Sequence, residues 1–165
     1  MEQLRDKPFV AVCGGAISDQ RLQEIAFEVG RLLAERDAVV ITGGLGGVME
    51  SACRGAKEEG GLTVGIIPSF DRSTANKYVD IIIPTGLGEA RNMLVVNAAQ
   101  VVIAIGGEYG TLSEVALALK TGKPVVGIDT WRLLIGGEER ESIYRVDLAQ
   151  DAVEWAIKMC QEQKR

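Results

Sequence analysis

The 165-residue sequence has no histidine, only 5% aromatic residues and three cysteines. Without histidine there is no Ser-His-Asp or Cys-His catalysis, no imidazole acid–base chemistry and no histidine-ligated metal. Proton chemistry must then fall to carboxylates, lysine, tyrosine, cysteine or water. Cys13, Cys53 and Cys160 are odd in number, far apart and include no CxxC pair. That fits neither a disulfide framework nor a zinc site, and it suits a reducing cytoplasm. Each is expected to pack as a small apolar residue. The most apolar stretch, 93–105, is interrupted by Asn97 and Gln100 and falls short of a membrane span. The first seven residues are polar and charged, and the apolar run after them is too short for a secretory signal. A formal charge of −5, no basic stripe and few rings to stack bases argue against general nucleic-acid binding. These absences leave a soluble, cytoplasmic chain, read as a single domain over 1–165, with neither membrane nor nucleic acid as a partner.

What is present is an alternation of short β-branched runs with helical periodicity. Strands are expected over 9–13, 38–42, 63–67, 79–84, 101–105 and 124–128. Several are apolar on both faces, as strands between two helical layers must be. Between them Leu22, Ile25, Ala26, Val29, Leu32 and Leu33 recur at helical spacing, as do Val48, Ala52 and Ala56. Leu112, Val115, Ala116 and Leu119 form another stripe, and Ala149, Ala152, Val153, Ala156, Ile157 and Cys160 the last. The pattern predicts an α/β, Rossmann-like, doubly wound and mainly parallel sheet of six or seven strands with helices on both faces. Residues 70–78 read as a polar loop. Within 130–145, residues 131–135 fit a short strand and 136–139 a turn.

The helix expected over 89–100 has almost no polar side, with Met93, Leu94, Val95, Val96, Ala98 and Ala99 all apolar. Such a helix needs cover on both sides. One side faces the sheet. The other is expected to meet a second copy of the chain in a homodimer or a dimer of dimers, the alternative being cover by Trp131 and its neighbours.

Three glycine clusters fall where a strand gives way to a helix. Gly14-Gly15 follows the first strand, and Gly43-Gly44-Leu45-Gly46-Gly47 follows the second and leads into Val48 and Met49. Gly106-Gly107-Glu108-Tyr109-Gly110-Thr111 follows the fifth. In an open parallel sheet these turns share one edge, near the point where the strand order reverses. Glycine lets backbone approach a ligand, and the helix N-termini behind it offer unpaired N–H groups to an anion. A small phosphate-bearing ligand is the expected partner. A valine at Gly44 or Gly107 is expected to fill the space a phosphate needs or, if these glycines serve only turn geometry, to unfold the protein at a cost of about 1–3 kcal/mol each where φ is positive. Neither standard nucleotide motif is present: Met49 stands where the dinucleotide fingerprint wants Gly or Ala, and no GxxxxGK[ST] occurs. Thr111-Leu112-Ser113-Glu114 also fits a capping box, in which Glu114 reaches back to the Thr111 N–H. Arg91, just after Gly86 and Gly88, can clamp a phosphate in bidentate fashion if it sits beside the pocket. Asp71, Arg72 and Lys77 read as loop solubilisers or as parts of a lid.

The stretch from Gly43 to Glu50, the stretch Gly86-Leu87-Gly88-Glu89-Ala90-Arg91-Asn92 and the stretch from Gly106 to Glu114 resemble the LOG-type superfamily, formerly labelled possible lysine decarboxylases. Within it the chain is most similar to the molybdenum cofactor carrier protein group. The superfamily's phosphoribohydrolases split AMP-like nucleotides into base and ribose phosphate. Their Pro-Gly-Gly motif ends in a catalytic glutamate that maps to Glu114, and their Glu-Arg-Lys arginine maps to Arg91. Here Ile105 replaces the proline, Ala90 the glutamate and Asn92 the lysine. The resemblance therefore implies first a carrier with molybdenum cofactor as cargo. The two long glycine turns would grip its phosphate, Arg91 would supply counter-charge and Asn92 a hydrogen bond. The metal would arrive with the cofactor, since the chain shows no ligand set of its own. The alternative is an N-glycosidic hydrolase of AMP-like nucleotides using Glu114 and Arg91. A pyridoxal phosphate decarboxylase is not expected, since none of Lys57, Lys77, Lys120 or Lys123 stands in a phosphate-binding context.

Overall fold

The computed structural model describes residues 2–139 and 142–163. A short helix α1 (Glu2–Arg5) leads into β1 (Phe9–Gly14), α2 (Gln20–Glu35), β2 (Val39–Thr42), α3 (Val48–Glu58) and β3 (Thr63–Ile67). A 3-10 turn at Arg72–Thr74 precedes β4 (Ile81–Pro84), and another at Gly88–Arg91 precedes α4 (Asn92–Ala98). Then come β5 (Val101–Ile105), α5 (Tyr109–Lys120), β6 (Val125–Ile128), the two-residue strands β7 (Leu134–Ile135), β8 (Glu138–Glu139) and β9 (Tyr144–Arg145), and α6 (Ala149–Glu162).

Seven strands pair in the order β4-β3-β2-β1-β5-β6-β9, every pairing parallel. The fold is the expected Rossmann-like α/β sheet. The two-residue period of a strand divides its side chains between two cores. Val10, Val12, Val40, Ile103 and Ile105 pack toward α2, α3 and α6. Ala11, Cys13, Val39, Ile41, Val102 and Ala104 pack toward α4 and α5. The chain winds outward from β1 to β4 and then returns to lay β5 against the other side of β1. That reversal brings the ends of β1 and β5 together, with register partners Cys13–Ala104 and Gly14–Ile105. An α/β sheet opens a crevice at this point.

Several local expectations change. The helix expected over 89–100 is a 3-10 turn followed by seven α-helical residues. On it Val95 and Val96 are buried, whereas Leu94, Asn97 and Ala98 are exposed. Trp131 lies with its ring 5.7 Å from that of Tyr109, and its neighbour Leu133 packs against the core cluster that holds Val95 and Val96. Residues 131–133 are not strand. β7 and β8 instead form a hairpin around Gly136 and Gly137, both at positive φ as a tight turn demands, and Tyr144–Arg145 supplies the seventh strand. On α5 the buried stripe is Glu114, Val115 and Ala118, with Ala116 exposed. The 70–78 segment is organised by Asp71, whose carboxylate accepts from the Ser73 N–H at 2.9 Å. Its carboxyl is held below its ordinary range by the Ser73 hydroxyl and N–H. All three cysteines are buried and none is in a disulfide. Among the described residues no helix is long and apolar enough to cross a membrane.

Candidate anion-binding cleft

A cleft of about 440 Å³ opens at the carboxyl ends of β1 and β5, a size suited to a small-molecule ligand. Nine residues named from the sequence line it: Gly14, Gly15, Met49, Arg91, Asn92, Glu108, Gly110, Thr111 and Glu114. Gly43, Gly44, Gly46, Gly47, Val48, Gly106 and Gly107 are not among the lining residues, and several of these glycines leave room for close packing. A Cβ on Gly43 would sit 2.7 Å from Arg91 Nη2, so this glycine makes room for the arginine. Gly47 packs on the carbonyls of Gly15 and Ala16, and the Val48 N–H donates to the Gly15 carbonyl at 3.1 Å. The second glycine turn is thereby fastened to the first.

At two of these glycines the surroundings match turn geometry, the second of the two readings. Gly44 (φ +74°) and Gly107 (φ +115°) hold left-handed conformations, and added carbons would meet Ile67 Cγ2 and Thr111 Cγ2 at 2.5 Å rather than a ligand. Gly107→Val is therefore expected to destabilise the fold by about 1–3 kcal/mol. Gly110 is the contrasting position. Its added carbon would find only Glu89 Oε2, at 3.7 Å, across the open cleft. Gly110→Val should leave the melting temperature near wild type and abolish ligand binding. Thermal melts beside binding curves check both substitutions.

Two helices start at this edge with no side-chain cap, α3 behind Gly47 and α5 behind Glu108. Their first-turn N–H groups lend the cleft positive partial charge. The capping box expected at Thr111 does not form. Gly107 turns the chain early, α5 begins at Tyr109, and Thr111 lies buried inside its first turn. Glu114, one turn further on, is 6% exposed and faces Cys13 and Arg91.

Arg91 is 4% exposed. Its Nη1 donates to Asn92 Oδ1, and its Nη2 to the Gly43 carbonyl at 3.4 Å. Its buried Nε has no partner. Asn92 is committed at both ends, since its Nδ2 donates to Ser113 Oγ at 2.7 Å. It ties the start of α4 to the first turn of α5 and so fixes Arg91. Burial pushes the Glu114 carboxyl up to about 7, against the opposing pull of the Arg91 charge and a hydrogen bond from the Cys13 thiol. Burial, and next the Glu114 carboxylate, push that thiol well above its ordinary value. The cleft thus pairs a fixed buried cation with an acid that is half neutral at neutral pH.

Sequence reasoning passed over Ala16, Leu45, Glu89, Tyr109 and Ser113, which also line the cleft. Ala16 follows the Gly14-Gly15 cluster and the other four sit inside the three quoted stretches, so position in or beside a motif was the available signal. Among the described residues no cluster of three or more Cys, Asp or Glu is placed to hold a metal ion.

The chain is similar to several known proteins. The molybdenum cofactor binding protein from the phototrophic bacterium Rippkaea orientalis superposes with a TM-score of 0.84 at 37% identity, covering 93% of this chain and 97% of that one. The molybdenum cofactor carrier protein from Chlamydomonas reinhardtii gives 0.80 at 33% identity, over 94% and 99%. A cytokinin riboside 5′-monophosphate phosphoribohydrolase from Mycobacterium tuberculosis is 32% identical over 129 residues, 72% of this chain and 68% of the relative. The model of the SLOG cluster4 family matches residues 7–157, and the chain belongs to that family.

Proposed function

We propose that the chain binds a phosphate-bearing small molecule, with molybdenum cofactor as the cargo it stores and carries in the cytoplasm. One observation carries this reading. A buried guanidinium at the cleft wall has only uncharged hydrogen-bond partners and one unpartnered N–H, and the acid it faces, Glu114, is pushed up to about 7 by burial. A buried cation of this kind is costly until an anion meets it. The first-turn N–H groups of α3 and α5 add further donors at the same edge. The similarity to molybdenum cofactor carriers supports the choice of cargo. Native mass spectrometry of the chain mixed anaerobically with molybdenum cofactor tests it. One retained cofactor per chain is expected, and no retention contradicts the carrier reading.

A second reading rests on Glu114 facing Arg91 in the same cleft. As a carboxylate it would stabilise the positive charge that grows on ribose when an N-glycosidic bond breaks, as in an AMP-type phosphoribohydrolase. Adenine released from AMP at an enzyme-like rate, and lost in Glu114→Gln, would put this reading ahead. A further proposal concerns assembly: a second copy covers the outer side of α4, where Leu94 is 39% exposed. Light scattering at micromolar concentration should give twice the chain mass or a multiple of it, and a monomer mass contradicts the proposal.

A further inference from the structure

One element of the cleft is used by neither reading. Tyr109, the first residue of α5, lines the cleft, yet the residue is 81% exposed. One side of its ring is braced by Trp131, with centroids 5.7 Å apart and planes inclined by 36°. Trp131 is itself fixed. Its indole Nε1 donates to the Glu108 carbonyl at 3.2 Å, its own carbonyl accepts from Arg145 Nη2 at 2.7 Å, and the neighbouring Thr130 hydroxyl donates to the Gly106 carbonyl at 2.7 Å. An exposed ring held by a fastened neighbour loses little freedom when a second flat surface lies on it.

We propose that Tyr109, propped by Trp131, is a platform on which a planar nitrogen heteroaromatic ring of the ligand stacks, whether purine or pterin, while its phosphate meets Arg91 and the helix N-termini. The proposal rests on the anion-binding reading and adds a selectivity to it. The ring, and not only the phosphate, is recognised. Base–aromatic stacking of this kind tolerates many rings, because every base has a π-face.

Three probes separate the possibilities: AMP, a pterin monophosphate, and ribose 5-phosphate, which has the phosphate but no ring. Trp131 and Trp155 are the only tryptophans. Trp155 stacks on Tyr144 at 5.0 Å, a separate pair. Emission that changes on binding and is lost in Trp131→Phe therefore reports this platform. At least one ring-bearing probe should bind 10-fold or more tighter than ribose 5-phosphate and alter that emission. Tyr109→Ala should bring its affinity down to that of ribose 5-phosphate without changing the latter, and Tyr109→Phe should keep it. Which ring-bearing probe shows the effect identifies the ring. If all three bind alike, or Tyr109→Ala weakens all three equally, the platform is overturned while the anion seat stands. If none binds, the seat fails and the platform with it.

Discussion

Arg91→Ala should weaken binding of a phosphate ligand about 100-fold while moving the melting temperature little. The binding loss follows from charge. A hydrogen bond to a charged group contributes about 1.5–3 kcal/mol, and each 1.4 kcal/mol is tenfold in affinity. The small change in stability follows from burial. In the free protein this guanidinium is 4% exposed and its Nε lacks a partner, so its removal also relieves a desolvated charge. Arg91→Lys keeps a cation but loses the planar fork, and its affinity should fall between the two. Titration calorimetry with ribose 5-phosphate beside thermal melts checks the set. A melting temperature that collapses in Arg91→Ala with binding intact in the folded fraction would make the residue a structural brace.

Glu114→Gln should change the pH dependence of both stability and binding. The carboxyl is raised from 4.5 to about 7 in the fold, chiefly by burial. Between those values the folded chain holds a proton that the unfolded chain has released. The stabilisation is therefore full below pH 4.5 and is lost as pH rises through 7. It amounts to about 3 kcal/mol at about 1.4 kcal/mol for each tenfold. The glutamine variant carries no such charge and should be the more stable protein at pH 8. Binding of an anion should weaken as wild-type Glu114 ionises, because the new carboxylate competes for Arg91, and the variant should lose that decline. Melts and affinities measured from pH 5 to 8.5 read both effects. If the protein hydrolyses AMP, the rate should instead rise toward pH 7 and vanish in the variant.

Much of this molecule is legible in its sequence. The β-branched runs marked six of the seven strands of the sheet, and the glycines after β1, β2 and β5 marked one edge of it. The seventh strand was hidden because Tyr144–Arg145 is two residues long and pairs only with β6. Spacing alone does not decide Glu114. A capping box and a buried acid have the same pattern, and the choice depends on where α5 begins, which Gly107 sets through a backbone angle. Glycine types could be recognised but not sorted. Gly110 opens on the cleft, whereas Gly44 and Gly107 make room for Ile67 and Thr111, a difference that exists only once the chain is folded. The separate roles of Arg91 and Asn92 likewise arise only in the fold, because Ser113 reaches Asn92 from another helix.

The central claim is that main-chain N–H groups at one edge of the sheet, together with Arg91, seat an anion. An NMR titration of the nitrogen-15-labelled chain with ribose 5-phosphate tests it most directly. The amides of Met49, Gly110 and Thr111 and the Nε–H of Arg91 should shift together with a single affinity. Shifts confined to other surfaces, or none at saturating ligand, would contradict the account.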